Sequence, residues 1–189
     1  MIAAKDQFPR LNPEEYFIWE EKQTDKHEYI NGQIYAMGGG TVNHGRIAIR
    51  FTAMFERHLE NTNCIIGNSD IKVKMANTYD YTYPDASVTC DERDKNTPNY
   101  ITYPCLIIEV LSDSTEAYDR GKKFRIYRQN PILQDYLLVS STRIEIDLYH
   151  KNNAGEWIII NYTEGDTIEL KSINLSFTIE QVYRNLKLN

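Results

Sequence analysis

Seven consecutive positions, Cys105-Leu106-Ile107-Ile108-Glu109-Val110-Leu111, hold six apolar side chains and one carboxylate. A short apolar run without polar alternation predicts a central strand covered on both faces. By strand alternation Glu109 shares a face with Ile107 and Leu111. A carboxylate taken out of water there is costly unless it is paired, protonated or bound to a metal. Whatever surrounds this strand must therefore supply an arginine or lysine in the core, or a cation at the strand end.

The rest of the chain is patterned for an α+β (mixed α/β) domain. At 189 residues it is long enough for one core, and no linker or repeat divides it. We read residues 1–189 as a single domain with its core at about 10–185. The 22 Ile against 12 Leu, and 14 Tyr, favour strands. Asn12-Pro13-Glu14-Glu15 predicts a capped helix to about Lys22. Asn31-Gly32 between two short apolar runs predicts a hairpin. Ile47, Ala48, Phe51, Met54, Phe55 and Leu59 recur at helical spacing after Gly38-Gly39-Gly40, with Thr41 or Asn43 as cap. Strands are predicted at 64–66, 71–75, 86–90 and 105–111. A helix follows over 117–129, then strands at 135–140, 143–150, 156–162 and 167–170, and a closing helix at 178–185. The expected architecture is a central mixed sheet flanked by helices, with extra C-terminal strands.

Asp85 follows Pro84 and opens the strand Ala86–Cys90. If that strand runs antiparallel to Cys105–Leu111, Asp85 lies beside Glu109. Two adjacent carboxylates repel and call for a shared cation or a strongly raised pKa. Mg²⁺ fits, because it is content with one or two carboxylates and keeps waters for a substrate. The segment Arg120–Arg128 carries five bases and no acids, a basic patch hidden within a net charge of −6. On a regular helix Ala117, Gly121, Phe124 and Arg128 form its buried stripe. Lys123 lies at that stripe's edge and Lys122 nearly opposite it. Lys123 can thus deliver its amine to a cleft, although an ion pair with Asp119 four residues earlier is the structural alternative. Arg120, Lys122 and His44 are candidate substrate contacts. His44 reads otherwise as a core histidine. Glu28, beside the hairpin turn, reads as a solvated strand carboxylate or as an additional metal-site acid.

Tyr83-Pro84-Asp85, the stretch Ile108-Glu109-Val110-Leu111-Ser112-Asp113-Ser114-Thr115, and Tyr118-Asp119-Arg120-Gly121-Lys122-Lys123-Phe124-Arg125 resemble the Uma-type family of restriction-endonuclease candidates within the PD-(D/E)XK nuclease-like superfamily. The hairpin His27–Ile34 is similar as well. The resemblance implies a restriction-endonuclease-like core, a Mg²⁺-dependent (or Mn²⁺-dependent) endonuclease acting on DNA, and a homodimer. It implies Asp85, Glu109 and Lys123 as the catalytic set; we expect a main-chain carbonyl near Val110 to help Asp85 and Glu109 hold the metal. The superfamily's usual lysine position, two after the glutamate, is Leu111 here, so the lysine comes from the next helix. The alternative is an inactive nucleic-acid-binding or dimerisation module of the same fold.

The acidic balance argues against a generic DNA coat or a membrane-surface protein. Neither a secretory leader nor a membrane span is expected, and three dispersed cysteines read as reduced cytoplasmic thiols. Tyr79, Tyr81 and Tyr83 are expected in packing rather than base stacking. Ile71, Val73 and Met75 alternating with Lys72 and Lys74 suggest an edge strand.

Overall fold

The computed structural model describes residues 8–75 and 78–188. The stretch read above for a leader, residues 1–7, lies outside them.

Helix α1 (Pro13–Glu20) opens on a capping box: the Asn12 side chain accepts from the Glu15 amide at 2.9 Å and the Glu15 carboxylate from the Asn12 amide at 2.8 Å. Strands β1 (His27–Ile30) and β2 (Gln33–Ala36) form the expected hairpin, with Asn31 and Gly32 at φ 52° and 75°, as a two-residue turn requires. The long helix α2 (Val42–Leu59) is capped by Thr41, whose hydroxyl accepts from the His44 amide. Asn43 instead reaches the Lys187 carbonyl at 2.8 Å.

Strands β3 (Ile65–Asn68), β4 (Lys72–Lys74), β5 (Tyr81–Thr82), β6 (Ala86–Thr89), β7 (Tyr100–Ile101) and β8 (Leu106–Leu111) follow. A helical crossover then runs through α3 (Glu116–Tyr118), a π-helical turn (Asp119–Lys123) and α4 (Phe124–Tyr127). It delivers the chain to β9 (Asp135–Ser140), which lies parallel to β8. Next come β10 (Ile146–Lys151), β11 (Trp157–Tyr162), the hairpin β12 (Thr167–Leu170) and β13 (Leu175–Thr178), and α5 (Ile179–Tyr183).

The main sheet has six strands in the order β11-β10-β9-β8-β6-β3, and a second has five, β2-β1-β5-β4-β7. Strand β8 is buried at every position, and its alternation decides what each face meets. Leu106, Ile108 and Val110 pack into one core with Phe51, Phe55, Ile179 and Val182 from α2 and α5. Ile107 and Leu111 face a second core with Ile126 and Tyr127 of the crossover and with Ile30, Val73 and Ile101 of the five-stranded sheet. Each fully buried side chain of this kind contributes about 1.5–3 kcal/mol. Glu109 faces that second core, where the two sheets and the crossover meet. A third cluster, Tyr16, Tyr29, Ile34 and Tyr81, seats α1 on the five-stranded sheet.

Several expectations are corrected. The region 117–129 is not one regular helix. Its buried positions are Asp119, Lys123, Ile126 and Tyr127, while Ala117 and Arg128 are exposed. The stripe Ala117, Gly121, Phe124, Arg128 is the wrong face, because the crossover turns the charged Asp119 and Lys123 inward toward Glu109. Strand β4 is not an edge: it lies between β5 and β7, with the Lys72 ammonium over the rings of Phe17 and Tyr83. Cys64 and Cys90 are not free thiols but a disulfide, because the β3–β6 ladder, which pairs Ile65 with Thr89, brings its next rung to a Cα separation of 4.1 Å. Cys105 is free and buried. Tyr81 and Tyr83 are buried, as expected for packing, whereas Tyr79 is exposed. Among the described residues, no helix is long and apolar enough to cross a membrane.

Candidate active site

Strands β6 and β8 run antiparallel with Ala86 opposite Ile108. The next rung outward sets Asp85 beside Glu109. Asp85 is held there by two contacts: its Oδ2 accepts from the Val110 amide at 2.7 Å and its Oδ1 meets His44 Nε2 at 2.8 Å. His44 arrives from the first turn of α2, so the helix start and the strand end are tied through one carboxylate. Gly40 makes room for this, since a Cβ there would stand 2.8 Å from the imidazole Cδ2.

The crossover brings Lys123 under Glu109. Although it carries an ammonium, Lys123 is only 6% exposed, and Glu109 is 4% exposed. Lys123 Nζ lies 2.9 Å from Glu109 Oε1, 3.2 Å from Glu28 Oε1 and 3.8 Å from Asp119 Oδ1. The Tyr127 hydroxyl donates to the same Glu109 oxygen at 2.8 Å. Glu109 Oε2 has no hydrogen-bond partner among the described residues, and Glu109 lines a cavity of about 150 Å³ together with Glu28, His44, Asp85, Asp119 and Lys123.

This is a site short of positive charge. Four carboxyl groups surround one ammonium and one imidazole. Burial pushes the Glu109 carboxyl well above its ordinary pKa; Lys123 opposes the rise, and Asp119, Asp85 and Glu28 add to it. Asp119 is raised for the same first reason, burial, against the pull of Lys123. Burial alone would lower Lys123, but Glu109 and Glu28 outweigh it and hold the ammonium well above its usual value. His44 behaves likewise: burial lowers it, and the bond to Asp85 more than restores it. Where like charges crowd a poorly solvated space, protons or cations must make up the difference.

The structure thus brings together Asp85, Glu109, Lys123, His44 and Glu28, all anticipated from sequence. Glu28 is not a solvated strand carboxylate. It is buried on β1 and also accepts from the Tyr83 amide at 3.2 Å. Arg120 lies elsewhere, its guanidinium bonded to Glu116 at 2.8 Å and to Asp147. Lys122 is exposed, with its ammonium over the rings of Tyr35 and Tyr118, which line the cavity. The residues missed from sequence are Asp119 and Tyr127. The only signal for Asp119 was its spacing of four from Lys123.

Among the described residues no group of three or more His, Cys, Asp or Glu side chains forms a ready-made metal cage. Asp85 and Glu109 supply two carboxylates on adjacent strands. That donor set is too sparse for a structural metal, but it suits a hard, hydrated divalent ion that keeps most of its waters.

Comparison with known proteins follows the same line. The sequence model of the Uma2 family, described as "putative restriction endonuclease", matches residues 13–180. An uncharacterized protein of Synechocystis sp., slr1290, is 62% identical over 179 residues, spanning 95% of this chain and 94% of its own length. A second from the same organism, sll1609, is 32% identical over 151 residues, spanning 79% and 85%. A crystal structure of a putative nuclease of the DUF820 group from Anabaena variabilis shares the fold: TM-score 0.75 at 15% identity, over 92% of this chain and 97% of that one.

Proposed function

The chain belongs to the Uma2 family, and from that membership and the charge of its cavity we propose that it is a divalent-metal-dependent endonuclease hydrolysing DNA phosphodiesters. The observation that carries the reading is the charge deficit: buried Glu28, Glu109 and Asp119 around Lys123, with half-buried Asp85 beside Glu109, all lining one cavity, and Glu109 Oε2 without a hydrogen bond among the described residues. Asp85 and Glu109 are the residues to hold Mg²⁺ or Mn²⁺. When bound, such an ion supplies Lewis-acid polarisation of a phosphate oxygen and a water acidified for attack.

The chain's own groups do the rest. His44 and the Val110 amide fix the Asp85 carboxylate, so its orientation is set before substrate arrives. Glu28 and Glu109 hold Lys123 protonated, and a fixed ammonium beside the reacting phosphate offsets the charge that develops on it. Tyr127 clamps one Glu109 oxygen, leaving the other for the metal. Lys122, exposed near the mouth, is suited to a neighbouring backbone phosphate.

One observation favours the inactive binding module: both Asp85 oxygens already have partners. Nicking of supercoiled plasmid with Mg²⁺ or Mn²⁺ decides between them. Wild type should nick, and Asp85→Asn, Glu109→Gln and Lys123→Met should each lose on the order of a hundredfold or more, the scale seen when one electrostatic contact to a transition state is removed. Salt-sensitive DNA binding with no cleavage under either ion would leave only the binding module.

A further inference from the structure

Glu28, Glu109 and Asp119 are buried, at 6%, 4% and 3% exposure, yet all three line the cavity. The same lining includes the half-buried Tyr35, Met37 and Tyr118. Register explains how an aromatic ring comes to stand beside the acids. On the β1–β2 hairpin Tyr35 is the cross-strand partner of Glu28, so both side chains leave the same face of the sheet. Ile34, one position earlier, points the other way and packs with the α1 cluster. The Tyr35 hydroxyl donates to Gln33 Oε1 at 2.8 Å, which pins the ring. Tyr118 immediately precedes Asp119 on the crossover. The exposed Lys122 sets its ammonium 5.1 Å from the centre of the Tyr35 ring and 5.6 Å from that of Tyr118. Two rings from two different elements thus flank one cation at a cavity whose buried groups are acids and a lysine.

We propose, resting on the nuclease reading, that the substrate of this site is unpaired DNA: a single strand lowers one phosphodiester to the acids while the neighbouring base stacks on Tyr118, with Tyr35 beside it and Lys122 on an adjacent phosphate. Three observations carry this. The acids are recessed, and a flexible single strand can bend a phosphate into a recess that a stiff paired backbone spans. The cavity, about 150 Å³, is of the size that holds one aromatic ring and has no room for a base pair. Paired DNA would have to extrude a nucleotide to reach it, a cost that is least where the strand is already unpaired. The third is charge. A net charge of −6 gives no broad electrostatic hold on a duplex, and Arg120 is taken up by Glu116 and Asp147. Stacking on aromatic faces beside a single cation is how an acidic chain can still hold a strand, because every base offers a π face whatever its sequence.

One sequence presented to the full chain with Mg²⁺ or Mn²⁺ as a single strand, as a duplex with a central unpaired bubble and as a continuous duplex tests the substrate class. Cleavage should be at least roughly tenfold faster on the two unpaired forms. Binding is read separately, with Ca²⁺ in place of Mg²⁺, from the fluorescence of 2-aminopurine in a short single strand, which is quenched when the base stacks. Tyr118→Leu keeps the bulk and removes the π face; it should abolish the quenching and weaken single-strand binding by roughly tenfold, within the range for one stacked base. Tyr118→Phe should retain both. Circular dichroism checks folding, and if Tyr118→Leu does not fold, Tyr35→Leu and the three-substrate comparison on wild type decide. Equal or faster cleavage of continuous duplex, or quenching that survives Tyr118→Leu, would overturn the proposal and leave the nuclease reading intact. No cleavage of any form, with quenching that Tyr118→Leu abolishes, would sink the nuclease reading and support the subsite for an unpaired strand.

Discussion

Replacing Lys123 by Met removes the ammonium that Glu109, Glu28 and Asp119 share, while keeping the length of the side chain. The loss is large because the partners stay behind. Glu109 and Glu28, at 2.9 and 3.2 Å from the amine, become buried charges with no counter-ion. Breaking a buried pair from one side costs about 3–5 kcal/mol. The pH dependence follows from the direction of the carboxyl shifts. Glu109 and Asp119 already have folded-state pKa values above their unfolded ones. Groups of this sign contribute stability that is complete below the unfolded pKa and lost as pH rises through the folded value. Without Lys123 both values rise further, so the variant's deficit should be greatest at pH 8 and shrink toward pH 5. Urea unfolding of wild type and variant across that range measures it, with Lys122→Met as the exposed control. A second arm adds Glu109→Gln to Lys123→Met; removing the stranded acid should recover a large part of the loss. A deficit no larger than that of Lys122→Met, or one that does not change with pH, would refute the picture of one lysine neutralising a crowd of acids.

Three further outcomes are expected. His44→Gln should cost about 1.5–3 kcal/mol, the range for a hydrogen bond to a charged group; because the folded-state pKa of His44 is raised, the wild-type advantage should be full below pH 6.5 and fade as pH rises, as denaturation at pH 6 and pH 9 would report. Gly40→Ala should destabilise the protein by about 1–3 kcal/mol and lower nicking, because its methyl meets the His44 ring, whereas Gly38→Ala, with nothing within 4 Å, should do neither. Reduction of Cys64–Cys90, or Cys90→Ser, should remove about 3–4 kcal/mol for a loop of 26 residues, read as a lower urea midpoint.

Which parts of this arrangement were legible in the sequence follows from the range of each signal. The Asn31-Gly32 turn, the amphipathic α2 and the alternation of β8 are written in neighbouring residues, so their elements were expected where they occur. Asp85 beside Glu109 was legible too, since a proline-led strand start and a buried strand end match once antiparallel pairing is assumed. Glu28 was harder. Its four-residue strand shows no pattern that separates a covered face from a wet one, and only packing against the crossover buries it. Asp119 and the true buried face of the crossover were hidden because that face is built on two charged side chains, Asp119 and Lys123, which a count of apolar positions assigns to solvent. The disulfide left no motif, since its cysteines are neighbours across a ladder and not along the chain.

By itself, then, the order of residues determined a mixed α+β chain with an apolar central strand, an obligatory partner for Glu109, and a lysine close enough to serve. Only the tertiary structure decided how many acids gather round that lysine, and that Asp85 is tied to both a helix and a strand. Periodicity acts over a few residues, whereas the balance of buried charge is set by contacts between segments far apart in the chain, which exist only once the sheets have closed on one another.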